Sequence, residues 1–151
     1  MFQIRLGTTK AIATNGSGTE GTTMVTVPIS STYKTTSTTL VKSGRNSKGV
    51  LITTVVKAGL RKVEMSWRVM SIGDYATLGT FFNTNFMFYG YYFDQDTNKW
   101  QTLQFYVGDR VADSLKQEQW SLNTGTGGDI APKHVENVKL SFIDTGAEVV
   151  S

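Results

Sequence analysis

The chain has 151 residues, a length that suits one domain burying roughly two thirds of its unfolded surface. It has no cysteine and a single histidine, His134, which excludes a disulfide framework, a thiolate metal centre, a cysteine nucleophile and a multi-histidine site within one chain. A net charge of +3, dispersed along the sequence, is too weak for a nucleic-acid assignment, and no apolar run is long enough to span a membrane.

Met1 to Leu6 alternates Phe2, Ile4 and Leu6 with Gln3 and Arg5, the pattern of a short strand. Gly7 to Lys10 reads as a turn and Ala11 to Ala13 as the returning strand. The opening MFQIRLGTTK holds no signal-peptide apolar core, which suggests a protein made and kept in a cytoplasm until it assembles. Asn15 to Thr23 is a polar, glycine-rich loop. Met24, Val25, Val27 and Ile29 form a brief strand that ends around Pro28, as suits a sheet edge.

Ser30 to Lys48 is Ser/Thr-rich and basic, with Lys34, Lys42, Arg45 and Lys48 and few large apolar residues. It reads either as a long solvated loop or as an arm that orders against a partner. Val50 to Val56 is strongly β-branched and predicts a strand, with a turn at Lys57 to Gly59.

Arg61 to Arg110 organises the rest. In RKVEMSWRV, Val63, Met65, Trp67 and Val69 alternate with polar residues, so one face is buried, with Trp67 as a core anchor. Ser71 is a helix N-cap with Asp74 three residues on, and Ile72, Tyr75, Leu78, Phe81 and Phe82 follow at helical spacing. Gly73 and Gly79 weaken that helix, which therefore needs docking to the sheet. Phe86 to Phe93 is aromatic on both faces, so both require cover. The core takes one face, and the other, with Tyr89, Tyr91 and Phe93, points to another subunit. A turn at Asp94 to Lys99 leads to a strand from Trp100 to Val107 that Gly108, Asp109 and Arg110 close. Asp113 to Gly128 is polar, with Trp120 and Leu122 in a small strand or clamp. The last strand is Asn137 to Ile143, with Val138, Leu140 and Phe142 inward, and Gly146 to Ser151 is a tail. No repeat or second domain is visible: residues 1–151 read as one α+β domain with an arm at 30–48 and a polar insertion at 113–133.

No catalytic constellation stands out. Asp94, Asp96 and Asn98 match the start of a calcium loop, but Lys99 replaces the turn glycine and Phe105 the closing glutamate, so a hairpin turn is the better reading. The glycine-rich segments lack a phosphate-loop ending. His134, in PKHVEN, has no nucleophile-elbow context and reads as a surface histidine; Asp109 and Arg110 read as a local ion pair at a turn.

The segments SGRNSKGVL, RKVEMSWRVMSIGDYATL, YYFDQDTNKWQTLQFYVGDR and VKLSFID occur in this order between Ser43 and Asp144. Together they resemble a family of small phage and prophage proteins of Gram-positive hosts that are encoded among the tail genes. The resemblance implies a structural protein of the virion, not an enzyme, with no cofactor, metal or small-molecule substrate. It implies a mainly antiparallel β-sandwich or barrel-like sheet with one flanking helix, similar in plan to tail tube and distal tail proteins. Those form hexameric rings around a lumen that DNA passes through. On this reading Tyr89, Tyr91 and Phe93 supply interface area between copies. Lys34, Lys42, Arg45, Lys48 and Arg110 lie at contacts with neighbouring tail proteins, or the four arm cations face DNA. The segments Ser30 to Lys42 and Gln117 to Lys133 are longer than the family pattern. Two other readings are a carbohydrate-binding module at the tail tip, built on Trp100, Trp120 and tyrosines, and a small enzyme acting through His134.

Overall fold

The structure, a computed structural model, describes residues 3–45, 47–114, 118, 120–122 and 130–147, without the side chains of 40–45, 51–58 and 121–122. The elements in chain order are β1 (Arg5–Gly7), α1 (Lys10–Asn15), β2 (Met24–Thr26), β3 (Thr32–Arg45), β4 (Leu51–Ser71), α2 (Ile72–Thr84), β5 (Met87–Asp94), β6 (Lys99–Val107), β7 (Val111–Ser114), β8 (Ser121–Leu122), β9 (Ile130–Ala131) and β10 (His134–Asp144). The fold is α+β and mainly β, as expected, with two helices where the sequence predicted one. All main-sheet pairs are antiparallel, in the order β2-β1-β5-β6-β10-β4-β3. β6 and β7 pair successive halves of the same edge of β10, broken at Gly108 to Arg110.

This open sheet is strongly curled. Laid flat, its six interstrand steps at ~4.8 Å would separate β2 from β3 by about 29 Å. Yet only six residue steps join Thr26 to Thr32, a reach of at most about 21 Å. Contacts across the interior confirm the curl. Tyr33 on β3 donates to the Phe93 carbonyl on β5, and the Trp67 indole on β4 donates to the Pro28 carbonyl beside β2, at 3.1 Å. The concave side holds the core: Val63, Met65, Trp67, Leu103, Phe105, Val138, Leu140 and Phe142 are all buried. Each such large side chain contributes roughly 1.5–3 kcal/mol.

Helix α2 fills the open side at one end. Its N-cap is as expected: the Ser71 hydroxyl accepts from the Asp74 amide at 3.2 Å. Leu78, Phe81 and Phe82 are buried, and Phe81 and Phe82 meet Phe88 at 5.9 and 5.4 Å. Gly90 lies on the inner face of β5, where a Cβ would come within 3.0 Å of the Phe105 ring, so glycine makes room for that ring.

Several local expectations fail, each for a tertiary reason. Lys10–Asn15 is a helix, not a returning strand: Thr9 caps it, accepting from the Ile12 amide at 3.2 Å, and it docks on the outer sheet face. Arg5 fixes it there by donating to the carbonyls of Ala13 (3.1 Å) and Thr14 (2.6 Å). Residues 32–45, read either as a solvated loop or as an arm that orders against a partner, are a 14-residue strand, because β4 of the same chain supplies the pairing for a threonine-rich, β-branched sequence. Residues 57–59 are not a turn: β4 runs straight through them, with Gly59 at φ 71° and register shifts opposite it on β3. Val69 is 57% exposed and Met70 is buried in its place. β10 shifts face at the same level, at Asn137 with φ 52°, so the paired residues Met70 and Val135 both turn inward. Leu122 lies in a small strand paired with β9, as expected; most of the 113–133 insertion lies outside the described residues.

Candidate functional site

The feature that stands apart from the body is the β3–β4 hairpin. β4 pairs with β10 only as far as Lys62, opposite Ile143. From Arg61 back to Leu51, its only ladder partner among the described residues is β3. Nine residue steps from Leu60 to Leu51 carry the hairpin about 30 Å past the body. β3 is also a sheet edge along its whole 14 residues. It contains no proline and has no strand partner on its outer side among the described residues; the edge cations Lys34, Lys42 and Arg45 and the register shifts at Thr38 to Val41 blunt it in part. The opposite edge differs. β2 has three residues, and Glu20 seals it by accepting from the Thr26 amide (2.8 Å) and hydroxyl (3.0 Å).

The root of this arm is held by a buried charge network. Arg61 is 4% exposed and Asp94 fully buried, and they pair at 3.1 Å. The guanidinium also donates to Asp96 (3.1 Å), to the Ser37 hydroxyl (2.8 Å) and to the Gly59 carbonyl (2.8 Å). The Arg61 amide donates to Asp144 at 3.3 Å. Asp94 accepts further from the Gln101 amide nitrogen (2.7 Å), the Thr97 hydroxyl (3.1 Å) and the Asp96 amide (3.0 Å). The Arg61 side chain thus ties both arm strands to the β5–β6 turn, and its backbone amide contacts the end of β10. Desolvation of two charges opposes such a pair, and the added hydrogen bonds offset it. Around it, burial pushes the Tyr33 phenol up to about 12, and burial likewise raises that of Tyr92, which accepts from Gln101.

The predicted contact residues fall into three separate places. Lys34, Lys42, Arg45 and Lys48 are all on the β3–β4 hairpin, the last three beyond its root and Lys34 within the body, opposite Glu64. Lys34 is exposed, 4.0 Å from Glu64, whose carboxyl is held below the usual carboxylate range by a hydrogen bond from Lys62 at 2.9 Å. Lys48 is exposed in the connection, and the side chains of Lys42 and Arg45 lie outside the description. Tyr89, Tyr91 and Phe93 are half-buried on the outer face of β5. The chain itself provides part of their cover: α1 packs there, Arg5 sits 4.9 Å over Tyr91, and Trp100 stacks on Tyr91 at 5.3 Å. Arg110 is an anchor for α2: it donates to Asn83 at 3.0 Å and to the Gly79 carbonyl at 3.4 Å, and lies 5.5 Å over Phe82. The expected Asp109–Arg110 ion pair is therefore replaced by contacts to the helix.

The Asp94–Asn98 segment is a hairpin turn, with Asn98 at φ 56°, and its two carboxylates face Arg61, which occupies the place a cation would take. Among the described residues no cluster of three acidic or histidine side chains is arranged for a metal. His134 is exposed at the start of β10. Arg61 and Gln101 were not singled out in the sequence, and Asp94 only within a calcium-loop match, yet parity pointed to all three as buried. Arg61 shares the inward parity of Val63 and Met65, Asp94 that of Phe88 and Tyr92, and Gln101 that of Leu103.

Fold and site together define a curled sheet that carries a β-hairpin held at its root by a buried charge network. No family model and no curated protein matches this chain.

Proposed function

We propose that the protein is a structural subunit of a bacteriophage tail, in the tube, the distal tail or a baseplate ring, that works by assembling with copies of itself and neighbouring tail proteins. The observation that carries this reading is the arm: a 14-residue open edge strand on a hairpin reaching about 30 Å beyond the body. An edge of that length is a template for strand addition by a neighbour. Charge favours a head-to-tail contact over a two-fold one. β3 carries Lys34, Lys42 and Arg45 and no acid, so antiparallel β3–β3 pairing about Thr38 would set Lys34 opposite Lys42. Head-to-tail contacts close into rings where the rotation between neighbours closes. The resemblance of the Ser43–Asp144 segments to phage tail proteins supplies the biological setting.

The carbohydrate-module reading has less support. Tyr91 takes one face of the Trp100 ring and Trp120 is half-buried, while Trp100, Tyr33 and Phe93 line one open cleft.

Light scattering of the full chain over a concentration series tests the proposal. Ring-sized particles are expected, and a variant with the arm shortened by replacing residues 40–57 with a two-residue turn is expected to stay monomeric. Equal masses for the two proteins at every concentration overturn it.

A further inference from the structure

Beyond Lys62 the arm has no ladder partner in the body among the described residues, because β4 leaves β10 there and β3 pairs with β4 alone. A two-stranded ribbon by itself twists strongly and is marginally stable, so it fixes no direction relative to a body. Here the direction is set at the root, by contacts that lie off the ladder. The Arg61 guanidinium donates to the Ser37 hydroxyl on β3 (2.8 Å) and to the Gly59 carbonyl on β4 (2.8 Å). It also donates to Asp94 and Asp96 at the β5–β6 turn, both at 3.1 Å. Both arm strands depart from regular pairing at this level. Gly59 lies in the left-handed region at φ 71°, and β3 shifts register twice between Thr38 and Val41. A Cβ at Gly59 would stand 3.3 Å from Arg61 Nη1, so the guanidinium packs closely against the bend.

Charge balance does not require so many partners. Asp94, fully buried, already neutralises Arg61. Asp96 is 59% exposed and Ser37 lies at the surface, where water would satisfy both. What these two add is orientation, because a planar guanidinium bonded at several points cannot rotate. The lever is long: a turn of about 10° at the root moves the tip of an arm of about 30 Å by about 5 Å, the spacing of one whole strand. We propose that Ser37 and Asp96 are positioning residues which, through Arg61, lock the angle at which the arm leaves the body. The consequence rests on the assembly reading above: that angle fixes the rotation from one subunit to the next, and with it whether head-to-tail contacts close.

The chain has no cysteine, so a pair of spin labels can be placed on it without removing any residue that would compete for them. One label goes on Ser47→Cys, exposed in the β3–β4 connection, and the other on Lys139→Cys, exposed on the body. Pulsed electron resonance reads the distance between them, with labelled protein diluted into unlabelled. The parent is expected to give one narrow distribution. In Ser37→Ala with Asp96→Ala, which keeps the Arg61–Asp94 pair, the width is expected to grow at least twofold. Circular dichroism, and hydrogen exchange of residues 51–58, check that body and arm still form. Ser37→Thr with Asp96→Glu, which keep a hydroxyl and a carboxylate, is expected to narrow the distribution again. A purely stabilising role would lower the melting point and leave the width unchanged, and that result overturns the proposal. Light scattering of the unlabelled proteins then tests the consequence: one particle size is expected for the parent and a mixture for the double alanine variant. Equally uniform particles from both overturn the link between arm angle and assembly. A broadened distance in a protein whose parent stays monomeric at every concentration overturns the assembly reading and upholds the clamp.

Discussion

At the residue scale, the centre of the molecule's polar chemistry is Arg61. Its five donations reach Asp94, Asp96, Ser37, Gly59 and, through the backbone, Asp144. Truncating it in Arg61→Met leaves Asp94 buried without its counter-charge, an expected loss of about 3–5 kcal/mol. Replacing both partners, Arg61→Met with Asp94→Leu, is expected to recover most of that loss, since buried ion pairs often exchange for apolar pairs at little net cost. Urea unfolding of the three proteins decides it; a double variant as weak as the single one contradicts the ion-pair account. Tyr33 supplies a pH test. Its phenol rises from 10.0 to about 12 through burial, so the folded state holds this proton more tightly than the unfolded chain. Its stabilisation is complete below pH 10 and is lost as pH climbs through about 12. The unfolding midpoint is expected to fall over that window, and less so in Tyr33→Phe. An identical alkaline profile for Tyr33→Phe rules the phenol out as the cause.

At the element scale, the arm is separable from the body in its bonding. Beyond Arg61 the β4 strand draws nothing from β10, and β3 pairs with β4 alone. Shortening residues 40–57 is therefore expected to leave the thermal midpoint within a few degrees of the parent, by calorimetry, while association is lost. A collapse of the body on shortening would show that the arm is part of the core. The root differs from the tip. Gly59 in the left-handed region and the adjacent register shifts mark where the ladder departs from regular twist, and Arg61 holds both strands at that point. Native-state hydrogen exchange is expected to find the amides of 62–66, paired on both sides, far slower than those of 51–58, paired on one.

At the scale of the whole molecule, the proposed contact runs through β3, which is basic. A two-fold β3–β3 pair, with Lys34 opposite Lys42, would strengthen between about 50 and 500 mM salt as the repulsion is screened. A head-to-tail contact sets no such like charges opposite each other and is expected to hold steady. Sedimentation of the wild type at both salt concentrations checks this, and association that rises steeply with salt contradicts the head-to-tail contact.

The sequence by itself settled the parts whose pattern is local. Period-two alternation in RKVEMSWRV and NVKLSFI placed Val63, Met65, Trp67, Val138, Leu140 and Phe142 in the core. The Ser71 cap and the 3.6-residue stripe gave α2. Two aromatic runs around DQDTNK gave the β5–β6 hairpin. What it left undecided is what depends on a distant partner. Thr32–Arg45 has no apolar face of its own, and its pairing with β4 makes it a strand. A β-branched threonine run was the one local sign of that. Lys10–Asn15 is too short to be helical unaided, and the outer sheet face and Arg5 fix it. The Arg61 cluster joins residues 37, 61, 94 and 144, which no spacing in the sequence connects. Strand pairing sets Ser37 and Asp144 beside Arg61, and the curl of the sheet brings in Asp94. Backbone pattern is read within a few residues, whereas edges, clefts and buried charge pairs come into being only once the strands are ordered in space.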